Sequence, residues 1–181
     1  MDADDVARPE RLARQVAFLA DGHVDAAGSA YRCIDEGGQP LREKQMPLTP
    51  ADVRRYVLFL NPMANPTVMA RAEVFQRHRY HTGYRYGEDY HLWITLLREG
   101  YRLANLPDCL LDFRTGPGFA RRRRGWHHLR TDFTNKVYAL RLYQPLLRPL
   151  LLALIPGLAL ARILPAPVLA ALYRLRHAMR F

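Results

Sequence analysis

The chain has 181 residues, 49% hydrophobic and 24% charged, a balance that excludes a disordered or collagen-like polymer and suits one main globular domain. Its net charge of +10 rests almost wholly on arginine, since Lys44 and Lys136 are the only lysines; such a charge suits phosphates, nucleic acid or an anionic membrane surface. Cys33 and Cys109 stand outside any CxxC pattern, so neither a cysteine zinc site nor a disulfide framework is expected, and a reducing, cytosolic setting is the default.

The opening "MDADDVARPERLARQ" places three aspartates in five residues. Clustered carboxylates repel one another unless a cation, a helix N-terminus or water offsets their charge. The start is acidic where a secretory signal is basic and then apolar, so export is not expected. A helix follows, with Pro9 in its first turn and Leu12, Val16 and Leu19 on one face. "HVDAAGSAYRCID" reads as a strand, and the glycines of "DEGGQPL" return the chain as a hairpin.

In "LTPADVRRYVLFL", Thr49 is the expected N-cap and Pro50 the first helical residue, with Val53, Tyr56, Val57 and Leu60 sharing a face. The loop "NPMANP" and a short strand "TVMA" lead into a helix near "RAEVFQRH". "GEDYHLWITLLREG" is a helix with an acidic start, a stripe of Leu92, Leu96 and Leu97, and a stop at Gly100. Trp93 and Leu92 are read as core anchors. "YRLANL" and "CLLDFR" predict two short strands. Helices alternating with strands indicate an α/β or mixed sheet, whose ligands gather at strand ends.

From Gly116 the chain turns to "GPGFARRRRGWHHLR", a Gly-rich loop followed by four arginines. The adjacent His127 and His128 lack the i, i+4 spacing of a two-histidine metal site, and His81 and His91 show no ligand spacing either. "RRRRGWHH" suggests a polyanion, yet no reading helix or stacking platform accompanies it, so no nucleic acid is expected. Between Arg148 and Arg162 an uncharged run reaches only about 20 Å as a helix, short of the roughly 30 Å hydrocarbon core. The end of the chain is therefore expected to form short segments in the membrane interface, with arginines at the head groups. The competing expectation is a helical hairpin packed on the domain.

Taken in order, "DADD" with "PERLARQ", "NPMANPTVM", "GEDYHLW", "GYRLANLP" and "CLLDFR" resemble the second half of a family 2 glycosyltransferase domain of the bacterial polysaccharide-building kind, over roughly residues 1–115. The resemblance implies a partial GT-A fold, a Rossmann-like mixed sheet lacking its N-terminal half. A basic loop and helix (116–145) and an apolar, arginine-punctuated tail (146–181) would follow. It implies that Asp2 and Asp4 form the family's DxD motif, with Asp4 the first ligand of a divalent metal, Mg²⁺ or Mn²⁺, which suits hard carboxylate and diphosphate oxygens; Asp2 would contact the donor ribose or be a second metal ligand, and Asp5 would support the loop. Glu88 and Asp89 would be the second acidic motif, with Asp89 the base that deprotonates the acceptor hydroxyl. Arg121 and Arg124, in the run Arg121 to Arg124, would clamp the donor diphosphate. Asn65 stands where relatives commonly carry histidine. The family's DxD strand is central, so Met1 would correspond to an internal residue and the chain would begin in mid-domain.

The implied function is an inverting transfer of sugar from a nucleotide-sugar donor to a glycan or lipid-linked acceptor, at the cytoplasmic face of the inner membrane, with an anionic membrane surface as partner. The alternative is a non-catalytic remnant that binds membrane or anionic polymer through its basic tail.

Overall fold

The computed structural model describes residues 1–84, 86–116 and 126–160. Its centre is a five-stranded mixed sheet of order β1-β5-β2-β3, in which β4 also pairs with β2. The strands are β1 (Val6–Ala7), β2 (Ala26–Ile34), β3 (Pro40–Lys44), β4 (Met69–Ala70) and β5 (Leu103–Arg114). β2 and β5 run parallel along their whole length, and the remaining pairings are antiparallel. The helices are α1 (Arg11–Ala20), α2 (Pro50–Tyr56), α3 (Ala72–Arg77), α4 (Glu88–Arg98), α5 (Trp126–Ala139) and α6 (Arg148–Leu160). A mixed sheet covered by helices is consistent with a Rossmann-like fold.

β2 is buried along most of its length, as expected for a strand with parallel pairing and both faces covered. Alternation along the strands divides the interior. Ala26 and Leu103 enter a large cluster with α2, α4, α5 and α6, while Ala27 and Ala104 enter a smaller one with Leu19 of α1. The β2–β3 hairpin forms as predicted, closed by Gly38 at φ +84° and by the Asp35 carboxylate accepting from the Gln39 N–H at 2.8 Å. Thr49 caps α2 in a reciprocal capping box with Asp52, and Pro50 opens the helix. The helix stops at Tyr56 rather than reaching Leu60. Leu92, Leu96 and Leu97 are buried, and Trp93 is fully enclosed in the larger cluster, as the stripe predicts.

Four expectations change. Residues 103–114 are one strand, not two: β5 absorbs Pro107 and Asp108 as a bulge, its register against β2 slipping between Ser29↔Leu106 and Ala30↔Cys109. Proline cannot donate to the ladder, so the extra residues bow out while pairing resumes beyond them. The buried face of α1 is Arg11, Gln15 and Leu19, whereas Leu12 and Val16 are 66% and 57% exposed. The helix itself opens after Pro9 and Glu10, not through them. The aspartate-rich start is a turn rather than a strand, closed by the Asp5 N–H donating to the Asp2 carbonyl at 3.2 Å.

At the C-terminal side, α6 packs on α5 and sends Ile155, fully buried, and Leu151 into the larger cluster. Leu151 and Ile155 are the residues by which α6 docks on the domain; of the tail expected over 146–181, residues 161–181 lie outside the described residues. Among the described residues no helix is long and apolar enough to cross a membrane.

Candidate functional site

The loop at residues 61–67 is bridged by Arg11 to Met1 of the N-terminal turn and by its own Asn61 to Asp89. On one side stands the N-terminal turn. Asp5 is buried, its Oδ2 accepting from the Asp2 N–H at 3.2 Å and its Oδ1 from the Arg114 N–H at 3.1 Å. Its charge also favours the cationic form of Arg11, against the burial that lowers the Arg11 pKa. Arg11 Nη2 in turn donates to the Pro66 carbonyl at 2.8 Å. Asp5 thus ties the N-terminal turn to the end of β5, while the Asp2 and Asp4 side chains are exposed.

Gln15 explains why a polar face of α1 is buried. It accepts from Arg11 Nε at 3.0 Å and donates to the carbonyls of Ala27 and Thr67 at 3.0 and 2.7 Å. A buried amide so satisfied does not carry the desolvation penalty that makes such groups costly.

On the other side of the loop stands α4. Gly87, at φ +70°, turns the chain into the helix, so that Glu88 and Asp89 fall in the first turn, where a helix N-terminus favours negative charge. Both are half-buried. Asn61 Nδ2 donates to Asp89 Oδ2 at 2.8 Å, and the Tyr90 N–H donates to Asp89 Oδ1 at 2.8 Å. Tyr80 donates its hydroxyl to Asn65 Oδ1 at 2.8 Å. Its pKa is raised, first by burial and then by the nearby charges of Asp89 and Glu88, which puts the phenol within the field of this acidic pair. Asn65 thus acts as an acceptor for Tyr80.

Several residues of this neighbourhood were not legible beforehand. Arg114 clamps the acidic turn to the β2–β3 hairpin: Nε donates to the Asp4 carbonyl at 3.0 Å, and Nη1 to the Asp35 and Glu36 carbonyls at 2.9 and 2.7 Å. His91 lies stacked between Tyr84 (4.6 Å) and Tyr138 (4.7 Å), with His81 edge-on at 5.7 Å and Arg98 over the far ring of Tyr138 at 4.2 Å. Asn135 of α5 accepts from His91 Nδ1 at 3.1 Å and donates to the Gly87 carbonyl at 3.1 Å, which assigns the His91 proton to Nδ1. Burial lowers the His91 pKa, the bond to Asn135 opposes this, and the His81 and Arg98 charges lower it further. His128 stacks on Tyr86 at 3.9 Å. His81 and His91 are parts of an aromatic column, a use that spacing alone does not reveal.

Among the described residues no group of three or more His, Cys, Asp or Glu side chains forms a metal cage. The exposed carboxylates of Asp2 and Asp4 remain suited to a hard divalent ion, because Mg²⁺ is commonly held by one or two carboxylates with substrate phosphates completing its shell. Arg121 and Arg124 lie outside the described residues.

No protein-family model matches the chain. The chain is 32% identical over 143 residues to the amylovoran biosynthesis glycosyltransferase AmsE of Erwinia amylovora, covering 78% of this chain and 53% of that protein. It is 34% identical over 116 residues to the O-antigen biosynthesis glycosyltransferase WbnJ of Escherichia coli, covering 63% and 45%. An uncharacterized glycosyltransferase of Haemophilus influenzae matches at 30% over 185 residues, covering 96% of this chain and 65% of the relative. The chain spans about half the length of the curated relatives it matches. Its homologues are thus named glycosyltransferases, two of them in bacterial polysaccharide biosynthesis.

Proposed function

We propose that this chain serves inverting glycosyl transfer, moving a sugar from a nucleotide-diphospho-sugar to a glycan or lipid-linked acceptor at the cytoplasmic face of the inner membrane, where an anionic membrane surface is its partner. The homologues support transfer in general. The observation that carries the finer reading is the Asp89 carboxylate, held by Asn61 at the start of α4 on the same loop that Arg11 joins to the acidic turn.

In this reading Asp89 accepts the proton of the acceptor hydroxyl, whose oxygen attacks the anomeric carbon as the bond to the donor diphosphate breaks. One base and an in-line attack invert the configuration. Glu88 adds negative charge that Asp89 alone would lack, and Asn61 fixes the orientation of the base. Asp4, with Asp2, would hold Mg²⁺ or Mn²⁺, which when bound neutralises the diphosphate leaving group. Asp5 and Arg114 keep the turn that carries these two carboxylates in place. Arg121 and Arg124 are proposed to grip the diphosphate bidentately, as arginine does for phosphate.

The test is a pair of substitutions followed by binding and turnover. Asp89→Asn should abolish transfer while leaving nucleotide-sugar affinity within about twofold, because it removes a base and not a binding contact. Asp4→Ala should remove the metal dependence of donor binding. Donor binding that is indifferent to metal in the unsubstituted chain would overturn the assignment of Asp4, and turnover by Asp89→Asn would overturn that of Asp89.

A further inference from the structure

Asp132 is the last acidic residue of the chain: residues 133–181 carry Lys136 and six arginines but no Asp or Glu. Within the described part of this region, α6 is anchored by Leu151 and Ile155 in the larger core cluster. The same segment leaves Leu146, Leu147, Leu150, Leu152 and Leu154 outside, at 88%, 46%, 65%, 46% and 50% exposure. Leu150 and Leu154 are one helical turn apart, and Leu146 and Leu147 stand in the turn that leads into the helix. Clustered exposed leucines on a rigid support mark contact with a second apolar phase.

The surroundings select which phase that is. Arg141 is exposed, and Arg148 is half-buried with its Nε donating to the Tyr143 carbonyl at 3.2 Å. An apolar area flanked by arginine, in a segment whose residues 133–181 include no Asp or Glu, complements anionic phospholipid, where burial of the leucines and attraction to head groups act together.

We propose that the leucine face of residues 146–154 is the membrane contact of this protein and lies in the interface of an anionic bilayer. The inference deepens the membrane placement given above by assigning it to a face of the folded domain. The contact also has a consequence for the site. α5 packs against both α6 and α4, and its Asn135 holds the Gly87 carbonyl at the start of α4, so a bilayer bound to α6 is held in a defined relation to Asp89.

The experiment is flotation of the full chain with vesicles of phosphatidylglycerol and phosphatidylcholine in equal parts, and with phosphatidylcholine alone. The unsubstituted chain should float with the anionic vesicles and much less with the neutral ones. A Leu147→Ser, Leu150→Ser, Leu154→Ser variant should lose binding about tenfold or more, as expected when several leucine side chains no longer leave water. Far-ultraviolet circular dichroism should match that of the parent chain; if the triple variant fails this check, Leu150→Ser alone is used and should still lower binding several-fold. Binding unchanged by the substitutions, or equal on both vesicle types, overturns the proposal. So does failure to float with the anionic vesicles; if a dimer is then seen by light scattering that the substitutions dissociate, the face belongs to a second copy. Flotation needs neither donor nor acceptor, so a chain that floats without transferring sugar sinks only the enzymatic reading, and one that transfers sugar without floating sinks only this one.

Discussion

Gly28 shows how tightly the centre of the fold constrains one residue. A Cβ built there would meet Asn105 Oδ1 at 2.1 Å. Asn105 cannot easily yield, because its Nδ2 donates to the Pro47 and Pro62 carbonyls at 2.7 and 3.1 Å, tying the start of the α2 segment and the 61–67 loop to β5. Gly28→Ala should therefore destabilise the chain by about 1–3 kcal/mol, the usual cost of overpacking a filled interior, as measured by urea unfolding. A cost near zero would mean that the Asn105 bridge is not held as described. Nothing in "AAGSA" marks this glycine in advance. Its requirement comes from a side chain 77 positions later, whereas Thr49 and Pro50 were legible because a cap and its helix are neighbours in the chain.

Among the elements, the stack of Tyr84, His91, Tyr138 and Arg98 joins the loop before α4, α4 itself and α5. It has a pH consequence. Burial holds the His91 pKa below its ordinary 6.5, so the folded chain binds fewer protons at this group than the unfolded chain. The stabilisation is fully present above pH 6.5 and declines as pH falls from there towards the lower folded-state value. Urea unfolding between neutral and mildly acidic pH should show that decline, and His91→Asn should flatten it in this range. An equal slope in the variant would assign the decline to other groups. Sequence periodicity placed all three of α1, α2 and α4, but it chose the wrong face for α1. Apolar spacing favours Leu12 and Val16, and it cannot register that Gln15 finds three partners inside the fold.

For the molecule as a whole, the decisive feature is that β2 and β5 serve two clusters at once, Ala26 and Leu103 facing one and Ala27 and Ala104 the other. Neither cluster can dissolve without stripping one face of the same parallel pair. Leu106→Ala in the smaller cluster and Leu96→Ala in the larger should each cost about 2–5 kcal/mol and shift one common unfolding transition, read identically by circular dichroism and Trp fluorescence. Two separable transitions would show that the clusters are independent. The sequence by itself determined helices α1 to α4, the hairpin, the capped start of α2, the buried stripe of α4 and the two acidic groups, because propensity, capping and periodicity are properties of neighbouring residues. Only the tertiary structure decided that β5 is continuous through Pro107, that Arg114 clamps the acidic turn, that the 61–67 loop links that turn to Asp89, and that α6 buries one face while presenting the other. Those outcomes depend on contacts between residues far apart in the chain, where partners are chosen by packing and hydrogen-bond satisfaction that no local pattern encodes.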